Sequence, residues 1–126
     1  MKSMTVRIAR AYDPPTPDDG VRVLVDRVWP RGLGRDELRI EEWARDVAPS
    51  TELRRWFGHD VERWPEFRRR YREELREPDR AAIVRRLAEI ARDRTLTLVY
   101  SAKDREHNQA VVLAEVIREA VEHDRR

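Results

Sequence analysis

The sequence predicts an α/β fold: a small single-domain sandwich in which helices flank a partly parallel central sheet. Residues 21–29 (VRVLVDRVW) and 95–100 (TLTLVY) are apolar on both faces, which is typical of strands covered on both sides. Segments with helical spacing separate and follow these strands, and helical crossovers favour parallel pairing. With 126 residues, the chain is long enough for one domain with a core and too short for two.

The first half of the chain alternates strands and loops before its first helix. Residues 5–12 carry apolar side chains at alternate positions, which predicts a strand with one buried face. Residues 13–20 (DPPTPDDG) and 30–37 (PRGLGRDE) are rich in proline, aspartate or glycine and are predicted loops. Residues 38–47 are predicted to form a helix that buries Ile40, Trp43, Ala44 and Val47.

The second half of the chain is predominantly helical. Ser50 is a predicted N-cap for a helix that ends at Gly58. Pro65 suits the start of the next helix, Pro78 ends it, and Asp79 can cap the one after. Helices are predicted over 81–91 and from about 105 to 123. The helix starting near Pro65 is predicted to bury Trp64, Phe67, Tyr71 and Leu75. The helix over 81–91 is predicted to bury Ile83, Leu87 and Ile90 or Ala91. The last helix is predicted to bury Ala110, Leu113, Ala114, Ile117 and Val121.

The composition excludes several classes of function. There is no cysteine, so disulfides, thiolate catalysis and Cys-ligated zinc are excluded. Three scattered histidines lack metal-ligand spacing, so no metal site is predicted and no cofactor is assigned. The net charge is only +2, because 27 basic residues face 25 acidic ones, which is a weak argument for nucleic acid. The preference for Arg over Lys fits a GC-rich coding sequence.

Nothing in the sequence points to a membrane. No apolar run approaches the roughly 18 residues that a membrane helix needs, and the first residues show no signal-peptide pattern. We therefore expect a cytoplasmic protein without a membrane partner. The sequence does not predict an oligomeric state.

Two loops are candidates for a functional site. In open α/β sheets, ligands bind beyond the carboxyl ends of the strands, and residues 26–32 (DRVWPRG) and 101–108 (SAKDREHN) both follow covered strands. Asp26 needs a partner, which Arg27 or Arg31 would supply in a structural salt bridge. Alternatively, the two arginines grip an anion in a bidentate manner, and Trp29 offers a stacking surface.

SAKDREHN is predicted to open the last helix, whose first N–H groups favour an anion. Lys103 would contact a phosphate or carboxylate, while Asp104 would cap the helix. His107 is expected in the first helical turn, where the helix dipole favours a neutral ring that serves as acid, base or hydrogen-bond donor. Ser101 lacks an activating arrangement and is not predicted to be a nucleophile.

Several segments together resemble a known family: YDP (12–14), LVDRVWPRG (24–32), APS (48–50), LRRWFGHD (53–60), WPEFRRRY (64–71) and LVYSAKDREHNQA (98–110). They are similar to the YeaO-like branch of the "domain of unknown function 488" family. The resemblance spans nearly the whole chain, implies one YeaO-like α/β domain over 1–126 in the bacterial cytoplasm, and implies no established activity. Family motifs include Asp26, Arg27, Trp29, Pro30, Arg31, Gly32, Trp56, His59, Asp104, His107 and Asn108.

More distant members carry a Cys-His-Arg triplet where this chain has Glu106, His107 and Asn108. The resemblance therefore implies that only His107 is retained, and that chemistry needing the thiol or the arginine is lost. Arg105 is the neighbouring residue that would compensate for the arginine.

The first hypothesis is a site for a small anionic molecule, such as a nucleotide or sugar phosphate. His107 would transfer protons, and the ligand-binding residues would be Asp26, Arg27, Trp29, Arg31, Ser101, Lys103, Asp104 and Asn108. One alternative is a nucleic-acid-binding module that uses exposed arginines on the helices at 53–76. Another is a protein-interaction domain without chemistry of its own, which an exposed apolar patch would favour.

Overall fold

A computed structural model of the protein describes residues 5–124. Its sheet has four strands in the order β1-β4-β2-β3, and every pairing is parallel. The α/β prediction is confirmed, with the sheet parallel throughout rather than in part. The strands are β1 (Val6–Arg10), β2 (Val21–Leu24), β3 (Glu42–Trp43) and β4 (Leu96–Tyr100), and the helices are α1 (Arg35–Leu38), α2 (Thr51–Phe57), α3 (Trp64–Glu74), α4 (Pro78–Asp93) and α5 (Gln109–Asp124).

The two central strands are buried at every residue, as their two-sided apolar pattern predicts. Val23 and Leu98 face the main core beside the longer helices, while Leu24 and Val99 face a smaller cluster under α1. The predicted strand at 21–29 is too long. Val25 still donates to the Val99 carbonyl at 3.0 Å, but the chain then bends before Pro30.

The predicted loop at 13–20 has a defined structure, because its aspartates are used internally. A single 3-10 turn spans Pro17–Asp19, and Asp19 accepts from the Thr16 N–H at 3.1 Å. Asp19 also pairs at 2.7 Å with Arg22, and both side chains are only 5% exposed. Gly20 has a φ of 63°, and a Cβ there would lie 2.2 Å from the Thr95 carbonyl oxygen, so only glycine fits.

The predicted helix over 38–47 is wrong. Instead, α1 begins within the predicted loop at 30–37, extends to Leu38 and ends where Arg39 adopts a left-handed conformation with φ of 53°. The chain then runs along the open edge of β2, where the Ala44 N–H donates to the Leu24 carbonyl at 2.8 Å. This pairing gives the backbone groups at the edge of β2 hydrogen-bond partners that a helix over 38–47 would not provide. Pairing with a distant strand therefore outweighs the local helical spacing of the apolar residues.

The α2–α3 hairpin follows its predicted caps. The Ser50 hydroxyl accepts from the Leu53 N–H at 3.1 Å, and Gly58 ends α2 with a φ of 51°. Pro65 lies in the first turn of α3, and Tyr71 is buried with its hydroxyl donating to the Val47 carbonyl at 2.7 Å.

The last two helices differ from prediction at their starts. Pro78 is the first residue of α4 rather than the end of α3, and Asp79 lies within the first turn instead of capping it. Helix α4 buries Val84, Leu87, Ala88 and Ala91, so the predicted face is rotated away from Ile83 and Ile90, which are partly buried. Helix α5 begins at Gln109 rather than near 105, and it buries all five residues of its predicted face.

The arginine-rich run of α3 is paired with carboxylates, as its alternating charges predict. Arg69 and Arg70 bond Glu66 at 2.7 and 2.8 Å, and these hydrogen bonds lower the pKa of Glu66 to about 2. Arg72 crosses to α5 and pairs with Glu119 at 2.6 Å. Most guanidinium groups on this face are therefore already neutralised by neighbours.

Candidate functional site

Asp26 ties together the carboxyl ends of the two central strands. It accepts from the Ser101 N–H at 3.0 Å, and also from the Ser101 hydroxyl and the Gln109 side-chain amide. Its own carbonyl accepts from the Trp43 indole at 2.7 Å. The prediction that Arg27 or Arg31 supplies a structural salt bridge is wrong, because neutral donors from the β4–α5 loop and α5 take that place.

Burial raises the pKa of the Asp26 carboxyl above its ordinary value. The residue is 9% exposed, and loss of hydration disfavours the charged form. Hydrogen bonds from Ser101 and Gln109 and the positive charge of Arg54 offset part of this effect.

Replacing Asp26 with Asn is expected to stabilise the protein at neutral and alkaline pH. The pKa of Asp26 in the folded protein is raised above its ordinary value of 3.8. The contribution of this carboxyl to the free energy of unfolding is therefore fully present below pH 3.8, and it is lost as the pH rises through the folded pKa. An Asn side chain has the same shape and still accepts the hydrogen bonds from Ser101. It donates to the side-chain oxygen of Gln109 once the Gln109 amide group flips. Urea unfolding should show the variant more stable than the wild type at about pH 8 and the difference shrinking towards about pH 4. A wild type that is the more stable protein at the higher pH contradicts this.

The β4–α5 loop is organised by Asp104, although not as predicted. Asp104 accepts from the N–H groups of Glu106 and His107 at 2.9 and 3.0 Å, so it caps a turn within the loop rather than α5. Asn108 caps the helix instead: its side-chain oxygen accepts from the Val111 N–H at 3.2 Å. The Asn108 amide nitrogen donates to the Asp104 carbonyl at 2.9 Å, and the residue is 2% exposed.

His107 precedes the first turn of α5, so its predicted place within the helix is wrong. Its Nδ1 lies 2.9 Å from an Asp104 carboxylate oxygen, and its ring meets Trp64 edge-on at 5.3 Å. Hydrogen bonds from Glu106 and His107 lower the pKa of Asp104, which keeps it ionised and able only to accept. Nδ1 therefore carries the hydrogen, and Nε2 is the ring nitrogen left for a ligand.

The loop after β2 presents arginines on a fixed backbone. Trp29 donates its indole N–H to the Leu33 carbonyl at 2.7 Å and packs edge-on against Trp43 at 5.5 Å. Among the described residues, the buried Nε of Arg27 has no hydrogen-bond partner. Arg31 is exposed, and its carbonyl accepts from the Tyr12 hydroxyl at 2.8 Å.

The two loops and α2 enclose a groove of about 770 Å³ at the carboxyl edge of the sheet. All nine residues predicted for the site line it: Asp26, Arg27, Trp29, Arg31, Ser101, Lys103, Asp104, His107 and Asn108. Polar residues that the sequence does not predict for the site also line the groove: Tyr12, Arg54, Arg55, His59 and Gln109.

His59 is the missed residue with the clearest backbone signal. It has a φ of 59°, directly after the left-handed Gly58, and left-handed non-glycine residues concentrate at functional sites. The adjacent Asp60 caps the following turn by accepting from the Glu62 N–H at 3.0 Å. Arg54 and Arg55 gave no signal of their own, because nothing in the sequence places α2 beside the groove.

The carboxylates of the groove have hydrogen-bond partners within the protein, whereas its cationic side chains lack ion-pair partners in the part of the chain that the structure describes. Both Asp26 oxygens and both Asp104 oxygens already accept hydrogen bonds from the protein. By contrast, five cationic side chains line the groove, and within the described residues 5–124 none of them forms an ion pair within 4.0 Å: Arg27, Arg31, Arg54, Arg55 and Lys103. The groove therefore has an excess of positive charge although the whole chain is nearly neutral.

Comparison with known proteins identifies the family. Residues 5–126 match the model of the inactive DUF488-N3 subclade. The chain is 44% identical over 115 residues to the uncharacterized protein YeaO of Escherichia coli (strain K12), which covers 91% of this chain and 98% of that protein. The chain belongs to the YeaO-like DUF488 family. The family resemblance drawn from the sequence motifs is thereby confirmed.

Other YeaO-like relatives are mycobacterial. The uncharacterized proteins Mb3100c of Mycobacterium bovis and Rv3073c of Mycobacterium tuberculosis are each 42% identical over 117 residues, covering 93% of this chain and 97% of theirs. No solved structure matches this YeaO-like chain significantly.

The described residues of this YeaO-like protein contain neither a candidate metal site nor a candidate membrane-spanning helix. Over 5–124, no group of three or more His, Asp or Glu side chains is arranged to hold a metal ion. Within the same residues, no helix is both long and apolar enough to cross a membrane.

Proposed function

We propose that the groove binds a small anionic ligand of the phosphate-ester or nucleotide type and does not turn it over. The observation that carries this proposal is the unequal satisfaction of charge: the groove carboxylates are engaged by protein donors, while five cations have no carboxylate partner among residues 5–124. The planar guanidinium group of arginine donates two parallel hydrogen bonds that match the spacing of phosphate oxygens. Such charge-assisted hydrogen bonds are stronger than those between neutral groups.

The family favours the absence of turnover, since the matching model describes an inactive subclade. In the proposed complex, His107 Nε2 is a hydrogen-bonding group for the ligand, and Asp104 holds the ring in place through Nδ1. The proton-transfer role of His107 stays a prediction, as does the stacking role of Trp29, whose ring already packs against Trp43 and beneath Arg35.

The alternatives receive less support. A nucleic-acid interface on the helices at 53–76 would need free arginines across that surface. On α3, Arg68, Arg69, Arg70 and Arg72 pair with glutamates, and Arg54 and Arg55 of α2, unpaired among residues 5–124, line the groove. The exposed large hydrophobic residues within the described chain are Tyr12, Val28 and Val61, and two of these, Tyr12 and Val28, line the groove. They fit the rim of a small-molecule site better than a separate protein-docking patch. A cytoplasmic location stays a prediction.

An NMR titration of the isotope-labelled protein with inorganic phosphate tests the proposal, with ionic strength held constant by chloride. Saturable amide shifts are expected over residues 26–31, 54–59 and 101–109. Arg31→Ala and His107→Gln should weaken the response while leaving the melting temperature nearly unchanged, because Arg31 is exposed and His107 bonds only within its loop.

Three outcomes would count against this proposal. Shifts that do not saturate, or that lie away from the groove, would remove the binding site. Unfolding of both variants would show that the two residues are structural. Time-dependent loss of a phosphate ester in phosphorus NMR would contradict binding without turnover.

A further inference from the structure

We propose that the ligand carries two separate anionic groups on one organic skeleton. This rests on the proposed function and extends it. One group would bind Arg27, Arg31 and Lys103 in the loops after β2 and β4, and the other would bind Arg54 and Arg55 on α2.

The number of unpaired cations exceeds what one phosphate group can engage. A phosphate monoester presents three acceptor oxygens, and two guanidinium forks with one ammonium already satisfy them. Arg27 provides a donor for such a bond, because its buried Nε has no partner within the described chain. Two further guanidinium groups from a different element are then left over.

The second pair of arginines comes from a separate part of the fold. Arg54 and Arg55 are consecutive exposed residues of α2, whereas the first three cations lie in loops at the end of the sheet. The carboxylate close to Arg54 is Asp26, whose oxygens accept from Ser101 and Gln109. Arg54 is therefore not neutralised by an ion pair.

The size and lining of the groove favour an organic ligand over a bare ion. At about 770 Å³ it falls within the roughly 300–1,000 Å³ of sites that hold drug-sized molecules. Apolar side chains also line it, among them Pro49, Phe57 and Phe67. Such surfaces contact a carbon skeleton, while the cations contact its charged groups.

Calorimetric titration with methylphosphonate and a series of alkane bisphosphonates of increasing chain length tests this inference. The bisphosphonate of matching length should bind about 10- to 100-fold more tightly than methylphosphonate, the gain expected from additional charged hydrogen bonds. The double variant Arg54→Ala/Arg55→Ala should bring this ratio close to one. Arg85→Ala, which removes an exposed arginine of α4 outside the groove, should leave the ratio unchanged.

The outcomes distinguish a failure of the two-group inference from a failure of the proposed anion site. If methylphosphonate binds and no bisphosphonate binds more tightly, the two-group inference is overturned and the anion site stands. If neither class of compound binds the wild type, the anion site itself is overturned. A length-dependent optimum in the wild type supports the inference independently of the variants.

Discussion

Replacing Arg27 with Ala is expected to weaken phosphate binding about 10- to 100-fold, because each charged hydrogen bond contributes about 1.5–3 kcal/mol and 1.4 kcal/mol corresponds to a factor of ten. Arg27 is the groove cation whose Nε is buried without a partner among residues 5–124, so an anion would satisfy a donor that the protein leaves unpaired. Its removal breaks no hydrogen bond to another described residue. Calorimetric titration should therefore show lost affinity with the melting temperature maintained.

Two further variants make this prediction specific. Arg27→Lys keeps the charge but loses the bidentate fork, so its affinity should lie between those of the wild type and the Ala variant. Arg85→Ala removes the same charge away from the groove and should bind phosphate like the wild type. Equal losses in Arg27→Ala and Arg85→Ala would mean that net charge, and not the groove, controls the affinity.

Replacing Asp19 with Ala is expected to lower the free energy of unfolding by about 3–5 kcal/mol, the usual cost of breaking a buried ion pair. Asp19 and Arg22 pair at 2.7 Å with only 5% of each side chain exposed. Arg22 also donates to the Leu38 carbonyl, so it stays buried when its partner is removed. The pair joins the loop before β2 to the start of that strand, and its loss affects the sheet that supports the groove.

Chemical denaturation of Asp19→Ala and Asp18→Ala measures this effect. Asp18 is the exposed neighbour, and its backbone carbonyl, rather than its side chain, accepts from Arg7 at 2.8 Å. Its replacement should change stability by no more than about 0.5 kcal/mol. Similar losses in the two variants would show that the burial of Asp19 does not determine its contribution.

The sequence was sufficient to predict the framework because strong patterns determine it. A strand with apolar residues on both faces avoids water only where other elements cover both sides of the sheet. Strands β2 and β4 are buried in this way at every residue. The Ser50 and Gly58 signals also define α2 correctly, since each acts through hydrogen bonds within a few residues.

One failure arises where a distant partner decides the local structure. Residues 42–43 pair with β2, although their neighbours have helical spacing, because an unpaired strand edge lies beside them. The predicted start of α5 is wrong for a local reason, because Asp104 and Asn108 both have side chains that can cap a helix. The sequence predicts Asp104 as the cap, but Asp104 accepts from the His107 N–H in the preceding loop, and Asn108 caps the helix.

For the candidate site, the rule that ligands lie beyond the carboxyl ends of parallel strands was enough to select the two strand-end loops. It could not select α2, since Arg54 and Arg55 reach the groove only through the packing of that helix. The partners of Asp26 were also beyond prediction. Ser101 and Gln109 are 75 and 83 residues away in sequence, and only the pairing of β2 with β4 brings them together.

A crystal structure determined in the presence of inorganic phosphate tests the central claim most directly. We expect a phosphate ion in the groove, within hydrogen-bonding distance of the Arg27 guanidinium and of at least one of Arg31 and Lys103. His107 Nε2 should face the ion while Nδ1 keeps its bond to Asp104. Phosphate bound elsewhere on the surface while the groove holds only water would contradict the account.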